Sequence, residues 1–246
     1  MSARLTGRLL VATPLLVDPN FRRTVVLILD HDEDGSLGVV VNRPTTIDVA
    51  SVLEQWAELT TAPGVVFQGG PVALDSALGL AAITGADGRV PVEKVNGVGS
   101  HDLDGSLGAG PGTAGDSASG PGSADAGVTG NPADREPSDG EAHNEDEEDE
   151  PLGWRRVRGR IGLIDLDAPP QILAAEMSSL RIFAGYAGWG AGQLESEIDE
   201  GAWYVVDAEL GDAFVAQPED LWRAVLRRQP GELAFVATFP DDPSEN

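Results

Sequence analysis

The chain has 246 residues, a formal net charge of −25, no cysteine and 41% hydrophobic residues. The missing cysteines exclude disulfide bonds, thiolate catalysis and cysteine-based metal sites. The apolar content is sufficient to bury a core, which excludes a wholly disordered chain. Because no apolar stretch approaches the roughly 20 residues that a membrane-spanning helix needs, we expect an acidic, folded protein without a membrane partner.

The acidic residues are concentrated in one segment. Residues 102 to 150 hold 14 acidic residues and a single basic residue, Arg135, so they carry more than half of the net charge. Glycine, alanine, serine and proline make up most of the rest, and such a composition cannot bury enough surface to offset its ordering entropy. We expect a long disordered acidic insertion that acts as a spacer in preference to a docking segment.

An apolar stretch at residues 9 to 17 follows two arginines, Arg4 and Arg8, and has the length of the hydrophobic region of an export signal. Pro14 interrupts this stretch, and no small-residue cleavage motif follows it. We therefore expect a cytoplasmic protein.

Residue patterns before the insertion predict a hairpin followed by a helix. Residues 24 to 30 and 37 to 41 are apolar and rich in β-branched side chains, with polar residues and glycine between them. Thr45 and Asp48 resemble a capping box, and apolar residues recur at helical spacing up to Trp56. Two further short strands are predicted, at residues 65 to 67 and 77 to 83.

After the insertion, apolar residues that alternate with arginines predict one half-buried strand at residues 157 to 161, with its arginines facing water. The pair Pro169 and Pro170, followed by an apolar stripe as far as Leu180, predicts a helix. The remaining predicted elements are strands at residues 181 to 185, 203 to 206 and 233 to 239, a helix at residues 193 to 200, and a helix beginning at Pro218. The pattern is mixed α/β (α+β type).

Aspartates alternate over residues 30 to 35 and are followed by glycine, like the first half of a calcium loop. Val41 occupies the twelfth position, where a bidentate glutamate would be required, so an acidic hairpin turn is favoured. The glycines between residues 185 and 192 precede a predicted helix, but their spacing does not fit a dinucleotide fingerprint. Tight backbone packing is favoured there over phosphate binding.

A basic cluster lies directly after the acidic run and consists of Arg155, Arg156, Arg158 and Arg160. The neighbouring carboxylates can neutralise it, and the whole molecule repels a polyanion, so we expect no direct nucleic-acid partner. His31 is the only histidine within the apparent fold, which makes a histidine-based metal site unexpected. We expect no cofactor and assign no catalytic residue.

Five blocks resemble the YqgE/AlgH family, in the family's order. They are residues 7 to 14 (GRLLVATP), 18 to 26 (DPNFRRTVV), 38 to 44 (GVVVNRP), 69 to 72 (GGPV), and 185 to 189 (GYAGW) with 192 to 195 (GQLE). The resemblance covers roughly residues 5 to 83 and 157 to 240. It implies a single α/β domain whose bifurcated β-sheet forms a pseudo-barrel flanked by helices. The family has no assigned biochemical activity, and the regulatory link in its name does not imply DNA contact.

These observations predict one discontinuous domain made of residues 1 to 101 and 151 to 240. The insertion at residues 102 to 150 divides it, and a flexible tail follows at residues 241 to 246.

Three predicted turns within this domain, at residues 42–44, 69–71 and 186–189, each follow a strand-like segment. Turns at the ends of neighbouring strands can gather into one region. We expect them to form one surface, with independent structural turns as the alternative. The candidate binding residues are Asn42, Arg43, Gly69, Gly70, Tyr186 and Trp189. The favoured function is a non-enzymatic binding or regulatory module for an unknown protein or small-molecule partner. The alternative is an enzyme or sensor for a small, anionic ligand held in a pocket of carboxylates and arginines.

Overall fold

The computed structural model describes residues 5–84 and 151–240, which belong to one compact unit. The predicted insertion and tail lie outside the described residues. The strands are β1 (Arg8–Ala12), β2 (Val25–His31), β3 (Gly35–Val40), β4 (Pro44–Asp48), β5 (Val65–Gln68), β6 (Val72–Ile83), β7 (Trp154–Arg158), β8 (Ile161–Ile164), β9 (Met177–Gly190) and β10 (Trp203–Asp207). The α-helices are α1 (Gln193–Asp199), α2 (Leu221–Arg227) and α3 (Leu233–Val236). Short 3₁₀ helices occupy Val49–Ser51, Glu54–Leu59, Pro170–Ile172, Asp212–Phe214 and Pro218–Asp220.

The strands form one strongly curled, mostly antiparallel sheet, in the order β10-β1-β2-β3-β9-β6-β8-β7. The sheet branches at β9, because this 14-residue strand pairs with β3 near its end, with β6 over most of its length, and in parallel with β5. β4 pairs with β5 on the branch. The fold is therefore a mixed α/β half-barrel with few helices.

The central strands are buried on both faces, which explains their continuous apolar runs. Leu9 and Leu27 face a core cluster that α2 covers with Trp222, whereas Leu10 faces a second cluster that α1 covers with Leu194. The apolar stretch considered above as an export signal therefore contributes a buried strand, β1. Within the described ranges, no helix has the length and apolar character that crossing a bilayer requires.

The two ends of the strand order approach each other at a place that we call the seam. Arg158 of β7 donates from Nη1 to the carbonyl of Gly7, with 3.0 Å between the atoms. Its Nη2 lies 3.7 Å from a carboxylate oxygen of Asp207 in β10. A Cβ on Gly7 would lie 2.5 Å from Arg158 Cβ, so the close approach at the seam requires glycine.

Several local predictions are confirmed. The hairpin of β2 and β3, the strands β5 and β10, and the helices α1 and α2 all lie where the sequence predicts them. The strands predicted at residues 77 to 83 and 181 to 185 are present as parts of the longer strands β6 and β9.

Two predictions before and beside the insertion are wrong. The helix predicted from Thr45 to Trp56 is strand β4 followed by two 3₁₀ helices. Asp48 does cap a turn, accepting from the amide of Ala50, but Thr45 donates its hydroxyl to the carbonyl of Val66 and so holds β4 beside β5. The single strand predicted at residues 157 to 161 is the β7–β8 hairpin, which turns at Gly159 with φ of +56°.

Two later predictions are also wrong. The helix predicted after Pro169 is limited to one 3₁₀ turn, and Met177 already belongs to β9, so the apolar stripe reflects two different elements. The strand predicted at residues 233 to 239 begins instead as helix α3. Arg223 of α2 donates to the carbonyls of Ala237 and Phe239, which satisfies backbone acceptors after α3 without a sheet partner.

Candidate functional site

Two of the three predicted turns, residues 42–44 and 69–71, meet beside β9 at the branch of the sheet. The prediction of a turn at residues 186–189 is wrong, because these residues continue the extended strand β9. The amide of Gln68 donates to the carbonyl of Arg43 at 2.9 Å, and the amide of Gly69 donates to the carbonyl of Ala184 at 2.9 Å. Val72 pairs with Tyr186 across β6 and β9. We call this region, residues 42–44, 69–71 and 186–189, the turn cluster.

Gly69, Gly70 and Gly185 allow three backbone segments to touch. A Cβ on Gly69 would collide with the carbonyl oxygen of Gly185, and one on Gly70 would collide with the backbone of Tyr186. A Cβ on Gly185 would lie 2.6 Å from the carbonyl oxygen of Val72. The conflicting atoms belong to backbone and cannot turn away, so these glycines are required for packing.

Asn42 and Arg43 tie the loop between β1 and β2 to the turn cluster. Asn42 is 8% exposed; its Oδ1 accepts from the amide of Val25 at 2.8 Å, and its Nδ2 donates to the carbonyl of Arg23 at 2.9 Å. Arg43 donates from Nη2 to the carbonyls of Pro19 at 2.9 Å and Arg22 at 3.2 Å. Burial lowers the pKa of Arg43. Both side chains make internal contacts that hold the cluster together.

Trp189 belongs to the core cluster that α1 covers, on the opposite face of the sheet from the cluster that Tyr186 packs against. It is 6% exposed, donates from Nε1 to a carboxylate oxygen of Glu197 at 3.0 Å, and packs against Phe21 and Trp203. Tyr186, three residues earlier in β9, is half-buried. Of the six predicted binding residues, Arg43 and Tyr186 thus keep partly exposed side chains, while the other four are buried.

Two exposed apolar residues beside the cluster were not predicted. Val72 is 38% exposed and Leu74 is 55% exposed. The register of β6 against β9 shifts between Val72 and Ala77, and Ala73 has φ of +50°, a left-handed conformation that non-glycine residues rarely adopt. We call Val72, Leu74 and Tyr186 the cluster patch. The sequence shows no signal for it, because an alanine gives no indication of a left-handed bulge.

The acidic turn between β2 and β3 is present as predicted. Asp32 closes it, because its Oδ1 accepts from the amides of Asp34 at 2.8 Å and Gly35 at 3.1 Å. His31 is next to it, with Nδ1 2.8 Å from the hydroxyl of Ser36. Among residues 5–84 and 151–240, no group of three or more acidic or histidine side chains has a geometry that could hold a metal ion.

A separate concavity opens at the seam and has a volume of about 260 Å³. Its walls include the apolar side chains of Leu27, Val157 and Ile161 and the arginines Arg158 and Arg160. We call it the seam cleft. It combines an apolar floor with positive charge on a strongly acidic protein, and none of its lining residues belongs to the turn cluster.

The AlgH-like family model matches residues 9–109 and 143–234 of the chain. A UPF0301 protein from Streptomyces avermitilis is 54% identical over 242 residues, which cover 98% of this chain and 95% of the relative. A UPF0301 protein from Mycobacterium tuberculosis is 38% identical over 98% of this chain and 90% of its own length.

Two solved structures share the fold. A crystal structure of a protein from Corynebacterium diphtheriae aligns with a TM-score of 0.67 and 24% identity, over 97% of this chain and 94% of that protein. The solution structure of the AlgH protein from Pseudomonas aeruginosa aligns with a TM-score of 0.54 and 22% identity, over 98% of this chain and 96% of that protein.

Proposed function

The chain belongs to the YqgE/AlgH family, and we propose that it is a non-enzymatic binding or regulatory module that captures a partner protein through the cluster patch. We also propose a cytoplasmic location. The observation that carries the proposed role is a set of exposed apolar side chains on a backbone that packs closely against the turn cluster.

The support beneath the patch is continuous. Val72 lies directly opposite Tyr186 on neighbouring strands, so both side chains emerge on the same face. Leu74 packs over Gly185, where a Cβ added to that glycine would lie 3.1 Å from Leu74 Cδ2. A partner that buries these side chains would pay little ordering cost, because the backbone beneath them is already fixed.

Residues with a left-handed backbone conformation also support a binding role for this region. Apart from glycines, Arg23 and Ala73 are the residues of the described ranges with positive φ. Ala73 lies within the patch strand, and the carbonyl of Arg23 accepts from Asn42 in the turn cluster. Strained backbone of this kind concentrates at binding and catalytic sites, where the surrounding structure maintains it.

The test uses two matched substitutions. Leu74 is 55% exposed in the patch and Val52 is 57% exposed elsewhere, so each accepts a charge without entering the core. We expect Leu74→Asp to reduce partner capture from native extract at least tenfold, since it removes an apolar contact and buries a charge in the interface. Val52→Asp should leave capture unchanged.

The proteins captured by each variant and by the unaltered chain are quantified by mass spectrometry. The comparison requires that all three proteins have the same melting temperature. Equal loss of the same partner from both variants, or equal retention by both, would contradict the proposed binding surface.

A further inference from the structure

We propose that the seam cleft binds a small organic acid, a carboxylate attached to a short apolar body. This ligand site is independent of the proposed protein-binding role, since none of its residues belongs to the turn cluster or the cluster patch.

The floor of the cleft fits the apolar part of such a ligand. Leu27 is 2% exposed and Ile161 is 6% exposed, and Val157 between the arginines is half-buried. Pockets that bury a drug-sized molecule usually have about 300 to 1,000 Å³, so the volume of about 260 Å³ suits a fragment with few heavy atoms.

The charge of the cleft fits the carboxylate. Arg160 is a half-buried residue, and its guanidinium makes no hydrogen bond or ion pair with any residue in the described part of the chain, although most buried or partly buried arginines there have such partners. A guanidinium presents a planar fork of donors that matches a carboxylate through two parallel hydrogen bonds. Arg160 is therefore available to bind the anion.

Arg158 supplies a second positive charge at the same cleft. It is held in place by the carbonyl of Gly7 and by Asp207, which it shares with Arg8. Asp207 is the opposing charge, and its side chain is 74% exposed, so water weakens its repulsion of a bound anion. The charged side chains that line the cleft itself are Arg158 and Arg160, so the lining is positive.

The hairpin turn presents the two arginines together. Gly159 adopts φ of +56° between them, and Arg156 donates from Nη1 to its carbonyl at 2.7 Å. Because the turn directs the chain from β7 into β8 at this point, Arg158 and Arg160 both reach the cleft while Ile161 enters its floor.

The test is a titration of the full chain with hexanoate, followed by amide chemical shifts in two-dimensional NMR. We expect saturable shifts for Gly7, Gly159 and Ala208, with half-saturation below about 10 mM, which small ligands of this size reach. The matched neutral probe, 1-hexanol, and the matched anion without an apolar body, inorganic phosphate, should each bind at least tenfold more weakly.

Four variants separate the anion contact from general charge and from the proposed protein-binding role. Arg160→Gln should weaken hexanoate binding at least tenfold, and Arg160→Lys should weaken it less. Arg227→Gln changes an exposed arginine of α2 outside the cleft and should have no effect. Leu74→Asp should also bind hexanoate normally, so that failure here and failure of the proposed protein-binding role are distinguishable.

The proposal is overturned if hexanoate shifts no cleft amide, if 1-hexanol or phosphate binds as tightly as hexanoate, or if Arg160→Gln binds hexanoate as the unaltered chain does.

Discussion

The turn cluster and the seam cleft differ in what their polar side chains do. In the turn cluster, Asn42 and Arg43 donate to backbone carbonyls, and Asn42 also accepts from a backbone amide. At the seam cleft, Arg158 also donates to a backbone carbonyl, that of Gly7, but Arg160 makes no such bond with the described residues. In the turn cluster, a recognisable sequence motif therefore reflects close backbone packing. The group available for a ligand lies in the seam cleft, where the sequence shows only an ordinary arginine-rich strand.

Glycine substitutions should show the largest difference in stability between variants of the turn cluster and variants of the seam cleft. Gly70→Ala places a Cβ against the backbone of Tyr186, which cannot move aside, and should lower the free energy of unfolding by about 3 kcal/mol or more. Gly159→Ala meets no atom within 4 Å and is opposed by its positive φ alone, at about 1 to 2 kcal/mol. Denaturant unfolding of both variants measures these two losses of free energy. Equal losses would contradict the difference in packing between the turn cluster and the seam cleft.

Asn42→Ala should lower the free energy of unfolding by about 2 to 3 kcal/mol, because it leaves the buried amide of Val25 without its acceptor. Asn42→Asp keeps that acceptor but loses the donor to Arg23, so it should lie between the alanine variant and the unaltered chain. Chemical denaturation followed by tryptophan fluorescence gives the order. A loss below about 0.5 kcal/mol for the alanine variant would show that water replaces the amide.

Arg43→Ala should lower the free energy of unfolding by about 1 kcal/mol, since it removes hydrogen bonds to the carbonyls of Pro19 and Arg22 at a partly exposed site. Its effect on partner capture should be smaller than that of Leu74→Asp, because its Nη2 already donates to the carbonyls of Pro19 and Arg22. Paired melting and capture measurements on both variants establish the order. Complete loss of capture with unchanged stability would instead make Arg43 a direct contact.

Arg160→Gln should change the free energy of unfolding by less than about 0.5 kcal/mol, because a side chain without partners among the described residues contributes little to the fold. Gel filtration and thermal melting beside Arg227→Gln provide the comparison. A much larger loss would mean that Arg160 is a structural residue, in contrast to the expectation for the seam cleft.

The sequence predicts the mixed α/β class and most of the strands, because buried strands are continuous apolar runs. It does not distinguish the strand β4 from a helix, since Thr45 and Asp48 satisfy local capping preferences that pairing with β5 overrides. The sequence also does not reveal the β7–β8 hairpin, because apolar residues and arginines alternate through it without a break. Gly159 at positive φ nevertheless reverses the chain there.

The candidate site is predicted in part. Ordered blocks rich in glycine and proline identify three segments, and the structure brings Arg43, Gly70 and Tyr186 into one region through backbone contacts. Two of the segments are turns as predicted, whereas residues 186–189 belong to strand β9. The exposure of Leu74 and the burial of Trp189 depend on a bulge and on packing between distant strands. Neither leaves a pattern in local sequence, so the cluster patch is visible only in the folded chain.

The central claim is that the cluster patch contacts a partner protein. Site-specific crosslinking tests this claim most directly. A photoreactive phenylalanine analogue replaces Leu74 in one variant and Val52 in another, two positions with nearly equal exposure. After irradiation in native extract, we predict a discrete adduct from position 74, lost when Val72→Asp is added, and no such adduct from position 52. The same adducts from both positions, or none from position 74, would contradict this claim.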